Sequence, residues 1–497
     1  MHETAAGLPQ SPGRSPRSYL ALLLSLLLAA LPVIQASNQQ AVPRPALPPE
    51  VLAAMNEALL RPYLELFEQA ARLEFTPAQI QEMRRYLEQA RSNCVRRWRE
   101  RARQLERDLE KAQAELRART AKLKPEERRE LHCQIQNLRL LKSQADTLAE
   151  HAVPVAFENR LAKLELIEKW PQDEKKIKEE LASGAYINRR WGDVLDIGFR
   201  QVGQGQEEDI KIGQETVEQM KLAGLMPPEV KNEVIQQYVA RLTREVARHS
   251  DVRVPVRVTV LNSKEINAFA LPGGFIYVER GLLEAVEDEA QLAGVIAHEL
   301  AHVAARHGHR LMRRSTIASL IYQAAQLAAM ILTGGVASLG TYYALQYGFY
   351  GLGLVLSLDL LGVSREFELE ADQLGIQYAW HAGYDPKGFI RFFDKMATQE
   401  GYVQGISWFR THPPFYRRMV EAMREISFLP PKEKLVTQTD AFQQMKRELE
   451  KVVAEAKEEE EGRPSLIAPE QGCPAPEKLE FKPGERRIET VCDMPTS

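Results

Sequence analysis

Two histidines and one glutamate have the spacing of a metal-dependent hydrolase. His298, Glu299 and His302 form an H-E-x-x-H motif inside an apolar run. Histidines four residues apart lie on one face of a helix, so both imidazoles can bind one Zn²⁺ ion. The glutamate next to the first histidine can then take a proton from a water molecule at the metal. The sequence therefore predicts a site for one zinc ion per chain, with Glu299 as the general base.

A catalytic zinc site needs a third protein ligand and an open position for water. Glu368 and Asp372 are four residues apart on one predicted helix, and Glu368 lies 66 residues beyond His302. We expect Glu368 to bind the metal and Asp372 to accept the free N–H of a ligating histidine. Glu366 and Glu370 lie on other faces of this helix and are not expected to be ligands.

The residues directly behind the motif exclude one class of zinc peptidase. Metzincins extend the motif to H-E-x-x-H-x-x-G-x-x-H, whereas Ala305 and Gly308 stand at two of those positions here. His307 and His309 follow closely on a different face of the predicted helix. We interpret them as exposed residues at the helix end.

The elements around the motif predict an α+β fold that is mostly α-helical. Asp288-x-x-Gln291 is typical of a helix start, and it precedes the apolar stripe of the motif helix. Residues 252–260 alternate between valine and other residues, as in a half-buried strand. Pro272, Gly273 and Gly274 then predict a turn into a second strand. We expect a zincin-like metallopeptidase domain with a small β-hairpin or sheet, preceded by a long helical coiled-coil hairpin.

The chain of 497 residues is too long for one ordinary domain. In the section before the motif, apolar residues recur every three or four positions, and the pattern breaks at Lys124-Pro125, which predicts the turn of the antiparallel hairpin. The predicted divisions are a signal peptide (1–36), a Pro-rich linker (37–50), a helical coiled-coil region (51–200), a zinc metallopeptidase domain (201–428), and a charged helix with a loosely ordered tail (429–497).

An uncharged segment of 43 residues, 316–358, interrupts the predicted peptidase domain. It is long enough for two membrane spans, but it also contains several Gln, Gly, Ser and Tyr residues. Two interpretations stay open. One is a helical hairpin that is buried or lies on a membrane surface over the cleft, and the other is insertion into the membrane.

Several motifs occur in one order along residues 205–425: Asn267-Ala-Phe-Ala-Leu-Pro-Gly-Gly, the H-E-x-x-H motif, Ser364-Arg-x-x-Glu368-x-x-x-Asp372, and Thr411-His412-Pro-Pro with Arg418. Together they resemble the gluzincin peptidase family of HtpX, Oma-type and CAAX-processing proteases, and its exported, BepA-like members in particular. The first 200 residues do not match that pattern. The resemblance implies a zinc-dependent endopeptidase with Glu299 as base and Glu368 as third ligand.

The resemblance also implies that His412 approaches the active site. Two roles stay open for it: a hydrogen-bond donor to the oxyanion, or a latch on the open zinc position. Arg418 is an alternative oxyanion donor. The strand around Asn267 is a candidate to bind substrate by backbone pairing. We therefore name Glu299, His412 and Arg418 as candidate catalytic residues.

Composition and targeting narrow the role further. A net charge of −3 argues against a nucleic-acid-binding protein. Arg14 and Arg17 before an uncharged Leu-rich run predict export to the periplasm or cell envelope, with the run either a cleaved signal peptide or an uncleaved membrane anchor. The leading interpretation is a protease of unfolded or misassembled envelope proteins, with protein or peptide substrates and membrane contact through 316–358. The alternative is a chaperone-like or binding protein whose protease site is latched.

Four cysteines in an exported chain favour disulfides. Cys473 and Cys492 are close in sequence, so we expect a local bond between them. Cys94 and Cys133 should not bridge, because a turn near Lys124 places them far apart along the helical hairpin.

Overall fold

The long helical hairpin predicted from the sequence is present. The computed structural model describes residues 44–119, 122–185, 190–191, 194–195, 205–222, 226–312, 365–399, 417–462 and 491–492. Two short helices come first, and three long helices follow them. They are α1 (Pro49–Leu60), α2 (Tyr63–Gln69), α3 (Pro77–Arg119), α4 (Pro125–Thr147) and α5 (Val153–Ser183).

The register of the hairpin follows from its cross-helix contacts. Ala112 of α3 packs with Leu131 and Ile135 of α4, close to the turn. Further from the turn, Ala102 and Leu105 pack with Ala145. The paired residue numbers rise on one helix as they fall on the other, so the two helices are antiparallel.

The second arm of the hairpin does not stop at the end of α4. A π-helical segment, Leu148–Ala152, joins α4 to α5. Arg84 of α3 then forms a 2.8 Å ion pair with Glu168 of α5, which continues the same register. The hairpin therefore extends over both α4 and α5.

One predicted disulfide is wrong. Cys492 bonds to Cys94 on α3, 398 residues away, and not to Cys473. Trp98 Nε1 donates to the carbonyl of Val491 at 3.3 Å, so the chain returns to the hairpin after the tail. Cys133 is also disulfide-bonded. Because Cys94 is bonded to Cys492, Cys94 and Cys133 do not bridge, as predicted.

From residue 190 onward, the chain contains a three-stranded sheet with helices packed around it. The strands are β3 (Arg257–Leu261), β4 (Ala268–Leu271) and β5 (Phe275–Glu279), and a separate two-stranded pair precedes them, β1 (Arg190–Trp191) with β2 (Val194–Leu195). The sheet order is β3-β5-β4, with β3 parallel and β4 antiparallel to β5. The alternation from residue 252 predicted a strand that starts there, but β3 begins only at Arg257.

A tight turn joins β4 to β5. Gly273 and Gly274 have φ of +78° and +88°, values that side chains with a Cβ rarely adopt. A Cβ on Gly273 would also lie 2.5 Å from the Cα of Ile210. The Pro-Gly-Gly sequence therefore forms the turn that the sequence predicted.

The described residues from Asp209 to Gly462 form nine α-helices. They are α6 (Asp209–Leu222), α7 (Glu233–Arg248), α8 (Arg280–Ala285), α9 (Glu289–Ala304), α10 (His307–Met312), α11 (Arg365–His381), α12 (Lys387–Gln399), α13 (Arg417–Phe428) and α14 (Asp440–Gly462). Helix α9 packs against α11, α12 and β4. The predicted C-terminal charged helix, α14, is present. It packs on α7, with Phe442, Met445 and Leu449 buried.

Several predictions fall on residues outside the described ranges. They are the signal peptide, the first half of the Pro-rich linker, the uncharged segment 316–358 and the tail beyond residue 462 except residues 491–492. Within the described residues, no helix is both long enough and apolar enough to span a membrane.

A buried ion pair joins helix α5 of the hairpin to helix α12. Lys163 of α5 is 1% exposed, and its Nζ lies 3.8 Å from Asp394 Oδ1 on α12. Asp394 Oδ2 also accepts the backbone N–H of Tyr63 at 2.8 Å. Burial lowers the pKa of Lys163, and the Asp394 carboxylate opposes that shift.

Removal of this carboxylate should destabilise the protein strongly. We expect Asp394→Ala to lower the free energy of unfolding by about 3–5 kcal/mol, because it leaves the Lys163 ammonium buried without its counter-ion. Adding Lys163→Met to that variant should recover most of the loss. The control is Lys169→Met, whose ion pair with Glu165 is exposed, with an expected change within about 0.5 kcal/mol. Urea denaturation measures all four proteins, and wild-type stability in Asp394→Ala would contradict the role of the pair.

Candidate metal centre

The motif helix α9 is fixed at its start and buried along its length. Asp288 Oδ1 accepts the backbone N–H of Gln291 at 2.8 Å, which is the N-cap predicted from the sequence. Leu292, Val295 and Ile296 are fully buried. This packing sets the rotation of the helix, and the same rotation brings His298 and His302 together on one face.

The acidic helix α11 crosses directly beside the first histidine. Gly375 makes this close approach feasible, because a Cβ there would lie 2.9 Å from both the backbone N and the Cα of His298. Glu368 and Asp372, both buried, lie one turn apart on this helix. The two helices therefore place two carboxylates against the two imidazoles.

The three predicted metal ligands lie close together. His298 Nε2 lies 3.0 Å from His302 Nε2 and 3.4 Å from Glu368 Oε2. His302 Nε2 lies 3.3 Å from Glu368 Oε1. A tetrahedral metal with bonds of about 2.0–2.2 Å needs its ligand atoms roughly 3.3 Å apart. The two nitrogens and the Glu368 carboxylate fit that geometry. The three side chains form the one such cluster of His, Cys, Asp or Glu in the described part of the chain.

Asp372 lies where the sequence predicted, behind the first ligand. Its Oδ1 is 2.9 Å from His298 Nδ1, the ring atom that faces away from the cluster. Burial alone would lower the pKa of His298, but the Asp372 and Glu368 carboxylates outweigh it and raise the pKa to about 9. The surroundings of this imidazole therefore favour a positive charge, as expected for a cation site.

Arg418 has a different position from that expected of an oxyanion donor. Its guanidinium is 1% exposed and lies against both acids of α11. Nε and Nη2 each donate to Asp372 at 2.6 Å, and Nη1 lies 2.7 Å from Glu368 Oε2. Planar bidentate contacts of this kind orient a carboxylate. Arg418 thus orients Glu368 and Asp372.

The interpretation of the residues behind the motif is corrected by the structure. His307 is 1% exposed, and its Nδ1 lies 2.8 Å from His302 Nδ1. Glu370 is also buried and contacts the other nitrogen of His307. His309 is partly buried and lies 2.6 Å from Asp209. Burial lowers the pKa values of both His302 and His307.

The sequence prediction failed at His307 because the helix does not continue to this residue. Helix α9 ends at Ala304, and Arg306 adopts the left-handed backbone conformation with a φ of +57°. The argument from helical faces therefore does not apply beyond Ala304. Gly308, a residue typical of helix ends, lies inside the next helix α10 and so did not mark the end of α9.

The remaining candidate residues have different positions relative to the cluster. Glu299 is buried on α9 beside the first ligand. Asn267 is buried just before β4, and its carbonyl accepts the N–H of Glu279 at 2.9 Å. Strand β4 contacts α9 and pairs with β5 on one side, as an edge strand of this sheet. His412 lies outside the described residues.

Comparison with known proteins supports this description. The model of peptidase family M48 matches residues 229–426. The beta-barrel assembly-enhancing protease of Yersinia pestis is 29% identical over 248 residues, which are 48% of this chain and 48% of that protein. The corresponding protein of Escherichia coli (strain K12) is 27% identical over 248 residues, 48% of this chain and 46% of that protein.

A mitochondrial relative is also similar. The metalloendopeptidase OMA1 of Danio rerio is 31% identical over 217 residues, 42% of this chain and 44% of that protein. The chain spans about half the length of the curated relatives it matches. The matched segment contains the three converging ligands, the buried Glu299 and the edge strand. Residues 229–426 are therefore a metallopeptidase domain of family M48, the gluzincin family that the sequence motifs predicted.

Proposed function

We propose that this chain is a zinc-dependent endopeptidase that hydrolyses unfolded or misassembled proteins of the cell envelope. The observation that carries the proposal is the buried convergence of His298, His302 and Glu368 with Glu299 on the same helix. Two imidazoles and one carboxylate are a donor set that zinc peptidases use. Non-haem iron enzymes use a similar set, but the general base inside the motif and the M48 match favour peptide hydrolysis.

The proposed roles follow from the positions of the side chains. Zn²⁺, when bound, supplies a Lewis acid that polarises the substrate carbonyl and lowers the pKa of a coordinated water. Glu299 accepts a proton from the attacking water as the water oxygen bonds to the carbonyl carbon of the substrate. The same carboxyl group then gives that proton to the amide nitrogen as the C–N bond breaks. Asp372 and Arg418 hold His298 and Glu368 in place during both steps.

Substrate recognition is proposed to use the edge strand β4. An extended peptide can add to a sheet edge through main-chain hydrogen bonds, which read little side-chain information. Because β4 contacts α9, a peptide on the edge of β4 that faces away from β5 in the described sheet would run beside the motif helix. This arrangement suits an enzyme whose substrates share an unfolded state more than a sequence.

The envelope location is also a proposal. The Cys94–Cys492 disulfide and the bonded Cys133 are typical of an oxidising compartment. Two of the relatives are named for β-barrel assembly. The Leu-rich N-terminal run predicts export. Together these observations support envelope proteins as the substrate class.

The ligand assignment is tested by zinc binding. We expect Glu368→Ala to remove most of the zinc, because it removes one of three protein ligands. Asp372→Ala should raise the zinc dissociation constant by about 10- to 100-fold, because it removes the contact to His298. The control is Glu366→Ala, since Glu366 is exposed on the same helix. Metal analysis after dialysis against a competing chelator gives the result, and equal zinc loss in the Glu366 variant would refute the choice of Glu368.

The catalytic assignment is tested by Glu299→Gln. We expect this variant to retain one zinc ion per chain and to lose about 10²- to 10⁴-fold in the rate of casein hydrolysis, because the base is lost while the ligands remain. Wild type with a chelator should also be inactive, and added zinc should restore it. Unchanged hydrolysis in Glu299→Gln would overturn the mechanism. Wild-type protein that holds zinc and binds casein without cleaving it would favour the chaperone-like alternative.

The substrate strand is tested with N-methylated peptides. In antiparallel pairing, only alternate residues of the peptide donate N–H groups to the edge strand. We therefore expect N-methylation at every second residue of a cleaved peptide to lower kcat/KM by about tenfold or more, and methylation at the residues between to have little effect. Methylations that all reduce cleavage equally, or that have no effect, would exclude pairing with β4.

A further inference from the structure

His307 lies between the second ligand and a buried acid. Its Nδ1 is 2.8 Å from His302 Nδ1, and its Nε2 is 3.2 Å from Glu370 Oε2. Arg310 Nη2 contacts the same Glu370 oxygen at 3.1 Å. The four side chains form a continuous line that starts at the metal cluster and ends at Arg310, whose side chain is 42% exposed.

The backbone places His307 there through an unusual turn. Arg306 adopts a left-handed conformation with φ of +57°, which costs free energy for a residue with a Cβ. Asp209 of α6 holds it with two hydrogen bonds of 2.7 and 2.8 Å to the guanidinium. The chain therefore turns back after α9, and His307 reaches the side of His302 that faces away from the cluster.

The ring of His307 is also fixed in orientation. It stacks on Phe367 with 4.5 Å between ring centroids and 9° between planes. The Arg310 guanidinium lies over Phe367 as well, 4.5 Å from the ring centroid. Rotation of the imidazole is thus restricted, and both of its nitrogens keep their partners.

The hydrogen bonds along this line have only one consistent direction. Nε2 of His302 faces the cluster, so its Nδ1 carries the proton when Nε2 binds a metal. Nδ1 of His307 must then accept, and the remaining proton of a neutral His307 is on Nε2. That N–H donates to Glu370, which accepts a further bond from Arg310.

We propose that His307 is a positioning residue that holds His302 in the tautomer presenting Nε2 to the metal, with Glu370 fixing the tautomer of His307 in turn. The inference rests on the zinc site proposed above. The two histidine ligands then have different hydrogen-bond partners at Nδ1. The partner of His298 is the Asp372 carboxylate, and the partner of His302 is the His307 imidazole. Outer hydrogen bonds of this kind orient a ligand and tune its affinity for the metal.

The experiment compares zinc binding by wild type, His307→Phe, His307→Gln and a control, His381→Ala. Phenylalanine keeps a ring that can stack on Phe367 but cannot accept the hydrogen bond, whereas glutamine offers an acceptor and a donor. His381 is exposed at the far end of α11. Chelator competition should give a zinc dissociation constant about 10- to 100-fold higher for His307→Phe. We expect a smaller increase for His307→Gln and no change for the control.

The outcomes separate this inference from the proposed function. Wild type that fails to bind one zinc ion would refute the metal centre itself. Wild-type affinity in His307→Phe, with zinc bound normally by wild type, would refute only the positioning role. Complete loss of zinc from both His307 variants would also overturn it, because His307 would then be a ligand.

A second measurement does not depend on the folding of any variant. In zinc-loaded wild type labelled with ¹⁵N-histidine, NMR should show His302 protonated at Nδ1, and His307 unprotonated at Nδ1 and protonated at Nε2. The opposite tautomer at His307, or a metal bond to Nδ1 of His302, would contradict the proposal.

Discussion

Two carboxylates buried one helical turn apart, Glu368 and Asp372, are the constraint to which the rest of the site responds. Ionised acids are costly in an apolar interior unless positive groups offset them. The Arg418 guanidinium contacts both acids, and His298 lies against both on its other side. A divalent cation at the cluster would add positive charge on the side of Glu368 opposite the arginine. The arginine and a bound cation would therefore both offset the charge of these acids.

The same constraint explains why the helices pack so closely. The acids of α11 reach His298 only because Gly375 lets the backbone of α11 approach that of α9. The N-cap at Asp288 and the buried stripe of α9 fix the rotation of that helix. Because the ligands come from two helices more than 60 residues apart in the chain, metal binding and the packing of these helices are coupled.

The sequence predicted side-chain positions correctly within single helices. It did not predict them where the position depends on a turn or on a contact between distant segments. The spacing of His298 and His302, and of Glu368 and Asp372, determined their faces correctly because each pair lies within one helix. The turn at Arg306 depends on a tertiary ion pair with Asp209 that no local pattern contains. Cys492 was assigned to the nearest cysteine in sequence, whereas its partner is set by the return of the chain to α3. In the same way, the role of Arg418 depends on how α13 packs against α11.

The bond between Cys94 and Cys492 has a topological consequence for how the protein withstands proteolysis. It joins α3 to a segment 398 residues later, so the whole peptidase domain lies within one covalent ring. A single backbone cut anywhere inside that ring, by another enzyme or by a second copy, leaves both pieces in one molecule. The nicked protein can therefore keep its metal centre assembled. Its fragments can separate only after the disulfides that join them are also reduced, so loss of the enzyme needs reduction as well as cleavage.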